Sequence, residues 1–324
     1  MKKLFIALLF VLWLAIILIV FFVVQKPDFL SILTGLKNLF LVIFIPILMA
    51  SLSACIGSYL LPDPTPAERL TLGTALGMGF FGLLGFGLAM AGWAKPVVLW
   101  ILLLILTSTF IFTGKLKRAW QDARHYTQEL TASMKGVALW IPISVGMAIA
   151  LAFLMSLAPP IEDFDALTYH LTVPSWWLRD GGLALYSWIL YWHPHMVEGI
   201  FIWPMAFGFD TATHLIHLLW FLLTISLLWH WMQQLWDNSI TWNALLILLT
   251  MPSLLWLASL AYTDYALTFA GLATLYSLWR WQSTQSTWWI IVGGLMAGMA
   301  ISVKYTGFVV PLVGVFLIIG WGQG

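Results

Sequence analysis

Residues 158–198 read APPIEDFDALTYHLTVPSWWLRDGGLALYSWILYWHPHMVE, and this polar stretch interrupts a chain that otherwise consists almost entirely of long apolar runs. The stretch, named here the polar island, contains five of the thirteen acidic residues and three of the seven histidines. It directly follows the apolar run 136–157, which is long enough to cross a bilayer. Acids gathered beside the end of a membrane helix indicate more than solubility, so we predict that the polar island contains the active site.

The overall composition indicates a polytopic α-helical membrane protein. The 324 residues are 62% hydrophobic and only 8% charged, and the mean hydropathy is +0.96, whereas about a quarter of an ordinary sequence is charged. The net charge of +1 and the lack of a basic patch give no sign of nucleic-acid binding. The single cysteine, Cys55, lies in an apolar run, so the sequence implies neither a disulfide nor a thiolate metal site.

Ten apolar runs approach the roughly 20 residues that a helix needs to cross a bilayer. The first run follows Lys2 and Lys3; it is too long for the apolar region of a typical signal peptide, and no small-residue cleavage site follows it. We therefore expect a retained first span and an all-α bundle of about ten transmembrane helices. The ten runs are 4–24, 38–61, 70–92, 96–113, 136–157, 211–231, 239–259, 265–281, 287–303 and 306–321.

The distribution of Lys and Arg predicts the orientation of the bundle. The segment 114–135 is the densest basic cluster of the chain, and the positive-inside rule places it in the cytoplasm. The run 136–157 then leads outward, which puts the polar island on the outer, periplasmic or lumenal face. Four predicted spans precede this point, in agreement with a cytoplasmic N-terminus.

Residues 194–208 leave two topologies open, because the segment is apolar but short and is interrupted by an acid and a proline. If the segment does not cross the membrane, Asp264 and Lys304 lie on the outer side with the polar island, and Arg280 lies inside. If it does cross, Asp264 and Lys304 move to the opposite side. We prefer the first topology, because it brings the few charges of the apolar region together.

Asp163 and Asp165 are the candidates for a general base. If Asp165 opens a helix, Tyr169 lies four residues later on the same face, and the helix dipole stabilises the carboxylate. His170 follows directly, and residues 171–182 are typical of an amphipathic, Trp-rich helix on the membrane surface. An ionised Asp at such a border can reach both a water-borne acceptor and a donor embedded in lipid. The alternative is a solvated loop that holds a few acids.

Lys304 and Asp264 are candidates for contact with a charged substrate. Lys304 is the only Lys or Arg after Arg280, and an anionic phosphate is its natural partner. The alternative is a lysine that extends to the membrane interface. Asp264 opens a predicted helix at the outer boundary, where a simple helix N-terminal charge is the competing explanation.

The motif HPHMVE places His193, His195 and Glu198 close together, and these residue types can hold a divalent metal. Their spacing matches no strong zinc signature, so we expect no metal cofactor. His214 and His217 lie three residues apart on one helix face, where buried packing histidines are the expected interpretation.

Several of these motifs resemble those of the GT-C fold glycosyltransferases that use polyprenyl-phosphate sugars, the family 39-like group of protein O-mannosyltransferases and aminoarabinose transferases. The run DALTYHL, which begins at Asp165, resembles the first-loop motif of this family, an Asp followed four residues later by an aromatic residue, here Tyr169. In related mannosyltransferases an acid directly follows that Asp, whereas Ala166 does so here; Asp163 is the possible substitute, so the base is either Asp163 or Asp165. The other matching segments are Gly181-Gly182 (end of the surface helix), 194–198 (Pro-x-x-x-Glu), 261–264 (acid of the second outer loop) and 293–304 (Gly-rich helix ending in Lys).

The resemblance implies both an architecture and an activity. Residues 1–135 form four N-terminal helices and a basic cytoplasmic loop, and residues 136–324 form a GT-C-like catalytic module with the outer loop 158–210. The implied reaction moves a sugar, with inversion, from a polyprenyl-phosphate donor to a protein, lipid or glycan acceptor. Its implied place is the periplasmic face of a bacterial inner membrane, among membrane lipids and without a cofactor.

The resemblance also implies a role for each candidate residue. Asp165 or Asp163 deprotonates the acceptor, and Lys304, with His193 or His195, stabilises the leaving phosphate. The residues expected to support them are Tyr169, His170, Glu198 and Asp264.

Two other classes of protein stay open at this stage. The short chain is compatible with a non-catalytic scaffold that retains the fold. A transporter is the other alternative, but its sites usually lie near the bilayer midplane within inverted repeats, and no clear repeat is present here. Substitution of Asp165 separates an enzyme, which fails, from a scaffold, which tolerates the change.

Overall fold

The computed structural model of the chain describes residues 28–61, 63–160, 163–187 and 189–321, together with residues 16 and 20. These residues form helices, turns and loops without a strand. The chain divides into two compact units, residues 1–42 and 43–324. The predicted first span, 4–24, lies almost entirely outside the described residues.

Most of the helices follow the apolar runs of the sequence, whereas one forms within the basic segment 114–135 and one within the polar island. In chain order they are α1 (Phe29–Gly57), α2 (Pro66–Met90), α3 (Pro96–Phe112), α4 (Lys115–Ser133), α5 (Trp140–Ser156), α6 (Thr172–Asp180), α7 (Met196–Met205), α8 (Thr211–Gln233), α9 (Asn238–Leu249), α10 (Pro252–Ala258), α11 (Asp264–Thr284), α12 (Trp288–Val303) and α13 (Val309–Trp321). The prediction of an all-α protein is confirmed for this part of the chain.

Fewer helices satisfy the length and hydropathy of a membrane span than the sequence predicts. Three described segments do so, Leu30–Leu60, Pro66–Met90 and Thr211–Gln233, and the number rises to five if the bent pairs α3–α4 and α9–α10 each count once. The run 239–259 is broken because Pro252 starts a new helix, bent by 76° from the preceding one. The all-helical apolar architecture is therefore established, whereas the count of about ten spans stays a prediction.

Helix α7 is short, and its residues from Met196 to Met205 are all buried. Its ten residues rise about 15 Å, half the thickness of a bilayer core. Such a helix is too short to cross, which favours the topology in which 194–208 stays on one side. Helix α7 packs closely on α2, since a Cβ added to Gly85 would lie 2.0 Å from the carbonyl oxygen of Gly199.

Helix α11 connects two polar clusters at its opposite ends. Near its C-terminal end, Nε of Arg280 lies 2.8 Å from Oε1 of the fully buried Glu68, and the Tyr276 hydroxyl donates to the same oxygen at 2.7 Å. Close by in sequence, Arg69 pairs with Asp122 of the basic helix α4 at 2.8 Å.

The other end of α11 begins at Asp264 beside the polar island. Arg280 lies sixteen positions after Asp264, a rise of about 24 Å along a helix. Arg280 and the basic helix α4 are therefore separated from the polar island by most of the thickness of a bilayer, as the preferred topology requires. Which end faces the cytoplasm stays a prediction.

Candidate active site

Asp163 lies at the edge of an open cavity of about 610 Å³ between α5, α8 and α10. The hydroxyl of Tyr262 donates a hydrogen bond to Oδ1 of Asp163 at 2.6 Å, and Oδ2 is buried without a hydrogen-bond partner. The cavity is mostly apolar, and its lining includes His214, Trp256 and Phe164. One carboxylate oxygen thus remains available beside a space that accepts an apolar or amphipathic molecule. Glu162, next to Asp163, lies outside the described residues.

Asp165 lies in the first turn of a helical segment, as the sequence predicts. A wider π turn, Ala166–His170, follows it and carries Tyr169. Burial raises the pKa of Tyr169 first, and the negative charge of Asp165 and a side-chain hydrogen bond to it raise the pKa further. The Tyr169 hydroxyl therefore keeps its proton near the carboxylate of Asp165. That the two side chains act together stays a prediction.

The carboxylate of Glu198, in the first turn of α7, is fully buried and contacts two histidines of the polar island. Nδ1 of His170 lies 2.6 Å from its Oε1, which joins residues 28 positions apart. Nδ1 of His195 lies 3.7 Å from its Oε2. The π turn and α7 are thus connected through one buried acid.

The rings of His193 and His195 lie side by side, with centroids 4.3 Å apart. Nδ1 of His193 contacts the carbonyl oxygen of Pro194 at 2.8 Å, and Nε2 of His195 contacts that of Tyr191 at 2.6 Å. Burial lowers the pKa of His193, so its imidazole is held in the neutral form. Neither ring contacts Lys304 through a hydrogen bond, and both turn instead towards Glu198.

Lys304 lies beside Asp264, with Nζ 3.3 Å from Oδ1. Both side chains are substantially exposed, so the ion pair is accessible to water. The next residue, Tyr305, donates its hydroxyl to the carbonyl of Trp192 at 2.7 Å, immediately before His193. Lys304 is therefore attached to the polar island, which is the arrangement expected when 194–208 does not cross the membrane.

The helix after the π turn also follows the sequence prediction. Residues Thr172–Asp180 form α6, and Gly181 ends it in the left-handed region with φ 75°. Its apolar side chains Val173 and Trp177 are buried. That α6 lies along a membrane surface stays a prediction.

Sequence reasoning missed Tyr262, the hydrogen-bond donor to Asp163. Tyr262 lies two residues before Asp264, within the motif 261–264, and this position could have identified it as a candidate. His214 and His217 are buried as expected for packing residues. Nε2 of His217 accepts the backbone N–H of Tyr265 at 3.2 Å, whereas neither ring nitrogen of His214, which lines the cavity, has a hydrogen-bond partner.

The part of the site that contains Asp264 and Lys304 lies in a segment that matches a known family. Residues 209–323 match the family described as dolichyl-phosphate-mannose-protein mannosyltransferase. The matched segment contains Asp264 and Lys304 but not the polar island. No curated protein and no solved structure matches the chain.

The family match agrees with the resemblance that the motifs predict. The match covers the Gly-rich helix α12, which ends before Lys304. The matched family is a GT-C group of membrane enzymes that use polyprenyl-phosphate sugars. Residues 209–323 are thus similar to the mannosyltransferase family, and this similarity indicates a membrane glycosyltransferase, as the sequence predicts.

Proposed function

We propose that the chain transfers a sugar from a polyprenyl-phosphate donor to an acceptor at the outer face of the membrane, with Asp165 as the general base. The observation that supports this best is the meeting of distant segments around Tyr169. Negative charge from Asp165, Asp264 and Glu198 acts on this one hydroxyl, and Asp264 in turn pairs with Lys304. This arrangement supports a single site to which distant parts of the chain contribute a base and a phosphate-binding cation.

Asp165 has the surroundings that a base needs. It is half-buried, lies in the first turn of a helix whose dipole favours the carboxylate, and lies near the Tyr169 hydroxyl. Asp165 takes the proton of the acceptor hydroxyl or amine, and the acceptor forms a bond to the anomeric carbon. The bond from that carbon to the phosphate oxygen breaks, its electron pair leaves with the phosphate, and the configuration inverts. Asp163, held by Tyr262, positions the acceptor.

Lys304 is suited to the leaving phosphate. Its pair with Asp264 is exposed, and an exposed ion pair of this kind contributes only about 0–1 kcal/mol. The negatively charged phosphodiester of the donor therefore displaces Asp264 readily, and its charge rises from one to two as the bond to the sugar breaks. Lys304 then stabilises the charge that develops as the bond to the sugar breaks.

The cavity beside Asp163 supports a substrate with an apolar part. Its apolar lining includes Met155, Leu260 and Trp256, and Asp163 and Tyr262 supply polar groups at its edge. Pockets of this character hold amphipathic ligands, with a few polar groups fixing the orientation. Such a substrate enters from the membrane, and the acceptor is a protein, a lipid or a glycan. We propose a bacterial inner membrane with the site on the periplasmic face.

Transfer from radiolabelled polyprenyl-phosphate sugars, assayed in membranes, tests this function. Asp165→Asn and Lys304→Ala are each expected to lower transfer by a factor of at least about 100, as expected for loss of a general base or of a group that stabilises the leaving oxygen. Asp180→Asn is the matched control, because Asp180 is an exposed acid of the same island that pairs with Arg179; its activity is expected to stay unchanged. If correctly inserted Asp165→Asn protein transfers sugar at the full rate and Asp163→Asn protein does not, the general base is Asp163. If the wild type transfers sugar from no donor, a non-catalytic scaffold is favoured.

A further inference from the structure

We infer that His193, His195 and Glu198 form a binding site for a divalent transition-metal ion of the zinc class. One potential ligand atom from each of the three residues lies within 4.8 Å of the other two. The set of two imidazole nitrogens and one carboxylate oxygen is a known pattern of zinc sites that keep a fourth position open. The spacing in the sequence gave no reason to expect a metal; the contacts of the three side chains do.

Each of the two histidines keeps one ring nitrogen without a proton. A carbonyl oxygen only accepts hydrogen bonds, so the ring nitrogen beside it must carry the proton. The proton of His195 is therefore on Nε2, 2.6 Å from the carbonyl of Tyr191, and that of His193 is on Nδ1, 2.8 Å from the carbonyl of Pro194. The lone pairs that remain, on Nδ1 of His195 and Nε2 of His193, belong to atoms that are buried without a hydrogen-bond partner.

The carboxylate of Glu198 shows the same division between its two oxygens. Oε1 is held by Nδ1 of His170 at 2.6 Å, whereas Oε2 is buried without a hydrogen-bond partner. At 3.7 Å from Nδ1 of His195, Oε2 is too far for a direct hydrogen bond. Buried polar atoms without partners are rare in native proteins and call for an explanation.

A metal ion explains all three atoms at once. Ligating histidines usually donate their other ring N–H to a backbone carbonyl or a carboxylate, and ligating carboxylates are held by a further hydrogen bond. The carbonyls of Tyr191 and Pro194 and the ring of His170 supply these outer contacts. Zinc–ligand bonds of about 2.1 Å place tetrahedral ligand atoms ~3.4 Å apart, so small rotations of the side chains close the site.

In this site the two histidines bind the metal ion instead of contacting the phosphate directly. Three protein ligands leave a fourth position for water or for an oxygen of a substrate. If the proposed glycosyl transfer is correct, an oxygen of the donor phosphate is the natural occupant, and the ion assists Lys304 in neutralising its charge. The presence of the site itself does not depend on that reaction.

Metal binding by the full-length chain in detergent, measured without any donor, tests the site. Chelator-treated protein is expected to take up one Zn²⁺ per chain by elemental analysis. Replacement by Co²⁺ is expected to give the strong visible absorption of a four-coordinate site. His193→Gln and His195→Gln are each expected to abolish stoichiometric binding, and His170→Phe to weaken it about 10–100-fold through Glu198. His125→Gln, which removes an exposed histidine of α4, is the matched control and is expected to bind like the wild type.

Two outcomes would overturn the site. The first is a folded wild-type chain that takes up neither Zn²⁺ nor Co²⁺. The second is stoichiometric binding that survives in His193→Gln, since His193 is only half-buried and this variant is expected to fold even if His195→Gln does not. Because no sugar donor is present, a chain that binds the metal but transfers no sugar would refute the proposed function and leave the metal site standing.

Discussion

The hydroxyl of Tyr262 donates a hydrogen bond to Oδ1 of Asp163 at 2.6 Å, and this contact joins loops 99 positions apart in the sequence. Asp163 belongs to the polar island, whereas Tyr262 belongs to the matched family domain. The contact therefore fixes the relative position of the two halves of the candidate site.

Tyr262→Phe is expected to lower kcat about tenfold and to leave the KM for the donor nearly unchanged. Hydrogen bonds to charged groups contribute about 1.5–3 kcal/mol, and loss of this one lets Asp163 rotate away from the acceptor. Tyr186→Phe is the control, because the Tyr186 hydroxyl contacts the exposed Arg179–Asp180 pair instead. An equal fall in both variants, measured in the transfer assay, would contradict a positioning role for Tyr262.

Gly85→Ala is expected to lower the unfolding temperature markedly. A Cβ at this position would lie 2.0 Å from the carbonyl oxygen of Gly199 and would force α2 away from α7. Overpacking in a well-packed core costs about 1–3 kcal/mol, and backbone cannot give way as a side chain can.

Gly87→Ala, in the same helix, is the control for Gly85→Ala. Nothing lies within 4 Å of a Cβ at Gly87, and alanine favours a helix interior over glycine by about 0.5–1 kcal/mol. Thermal unfolding of the two variants in the same detergent is expected to give shifts of opposite sign. A similar loss of stability in both would show that general helix effects, rather than the close approach, decide the result.

Arg280→Ala is expected to destabilise the chain by about 3–5 kcal/mol without involving the candidate site. The substitution leaves Glu68 fully buried beside Tyr276 without its cation, and an unpaired buried charge is costly. Lys117→Ala removes an exposed cation of α4 and is expected to change stability by less than about 0.5 kcal/mol. Equal stability of the two variants in denaturant unfolding would mean that the Arg280 pair contributes nothing.

The sequence allowed the main partners of the candidate site to be predicted, because their residue types are rare in this chain. Asp165 was predicted to lie beside Tyr169, and Lys304 to lie on the same side as the polar island; both follow from helical spacing and from the scarcity of charge in the apolar runs. Hydropathy did not establish the number of spans, because it measures composition and not the length of the helix that forms. Pro252 shows this, since it ends one helix and begins another within a single apolar run.

The contacts of tyrosines and histidines could not be predicted in the same way. Tyr262 is one of nine tyrosines, and only the return of the chain after α10 brings its hydroxyl to Asp163. The free nitrogens of His193 and His195 depend on which carbonyl each ring meets, and this is decided by the turn between the polar island and α7. Such details depend on tertiary packing, which a single sequence does not encode in a readable pattern.

The pair of Lys304 and Asp264 leads to opposite expectations for its two members. Lys304→Gln is expected to raise the KM for the donor and to lower kcat by about 100-fold, because the cation that neutralises the leaving phosphate is lost. Asp264→Asn is expected to lower the KM for the donor a few-fold, since it removes a carboxylate that competes with the phosphate for Nζ at 3.3 Å. The effect is small because an exposed ion pair contributes about 0–1 kcal/mol. It is expected to shrink further at high salt, which screens exposed charges. Steady-state kinetics with the donor varied, at two salt concentrations, check the direction of both KM changes. A fall in kcat for Asp264→Asn as large as that for Lys304→Gln would show that Asp264 orients Lys304 or acts on the substrate instead of competing with the phosphate.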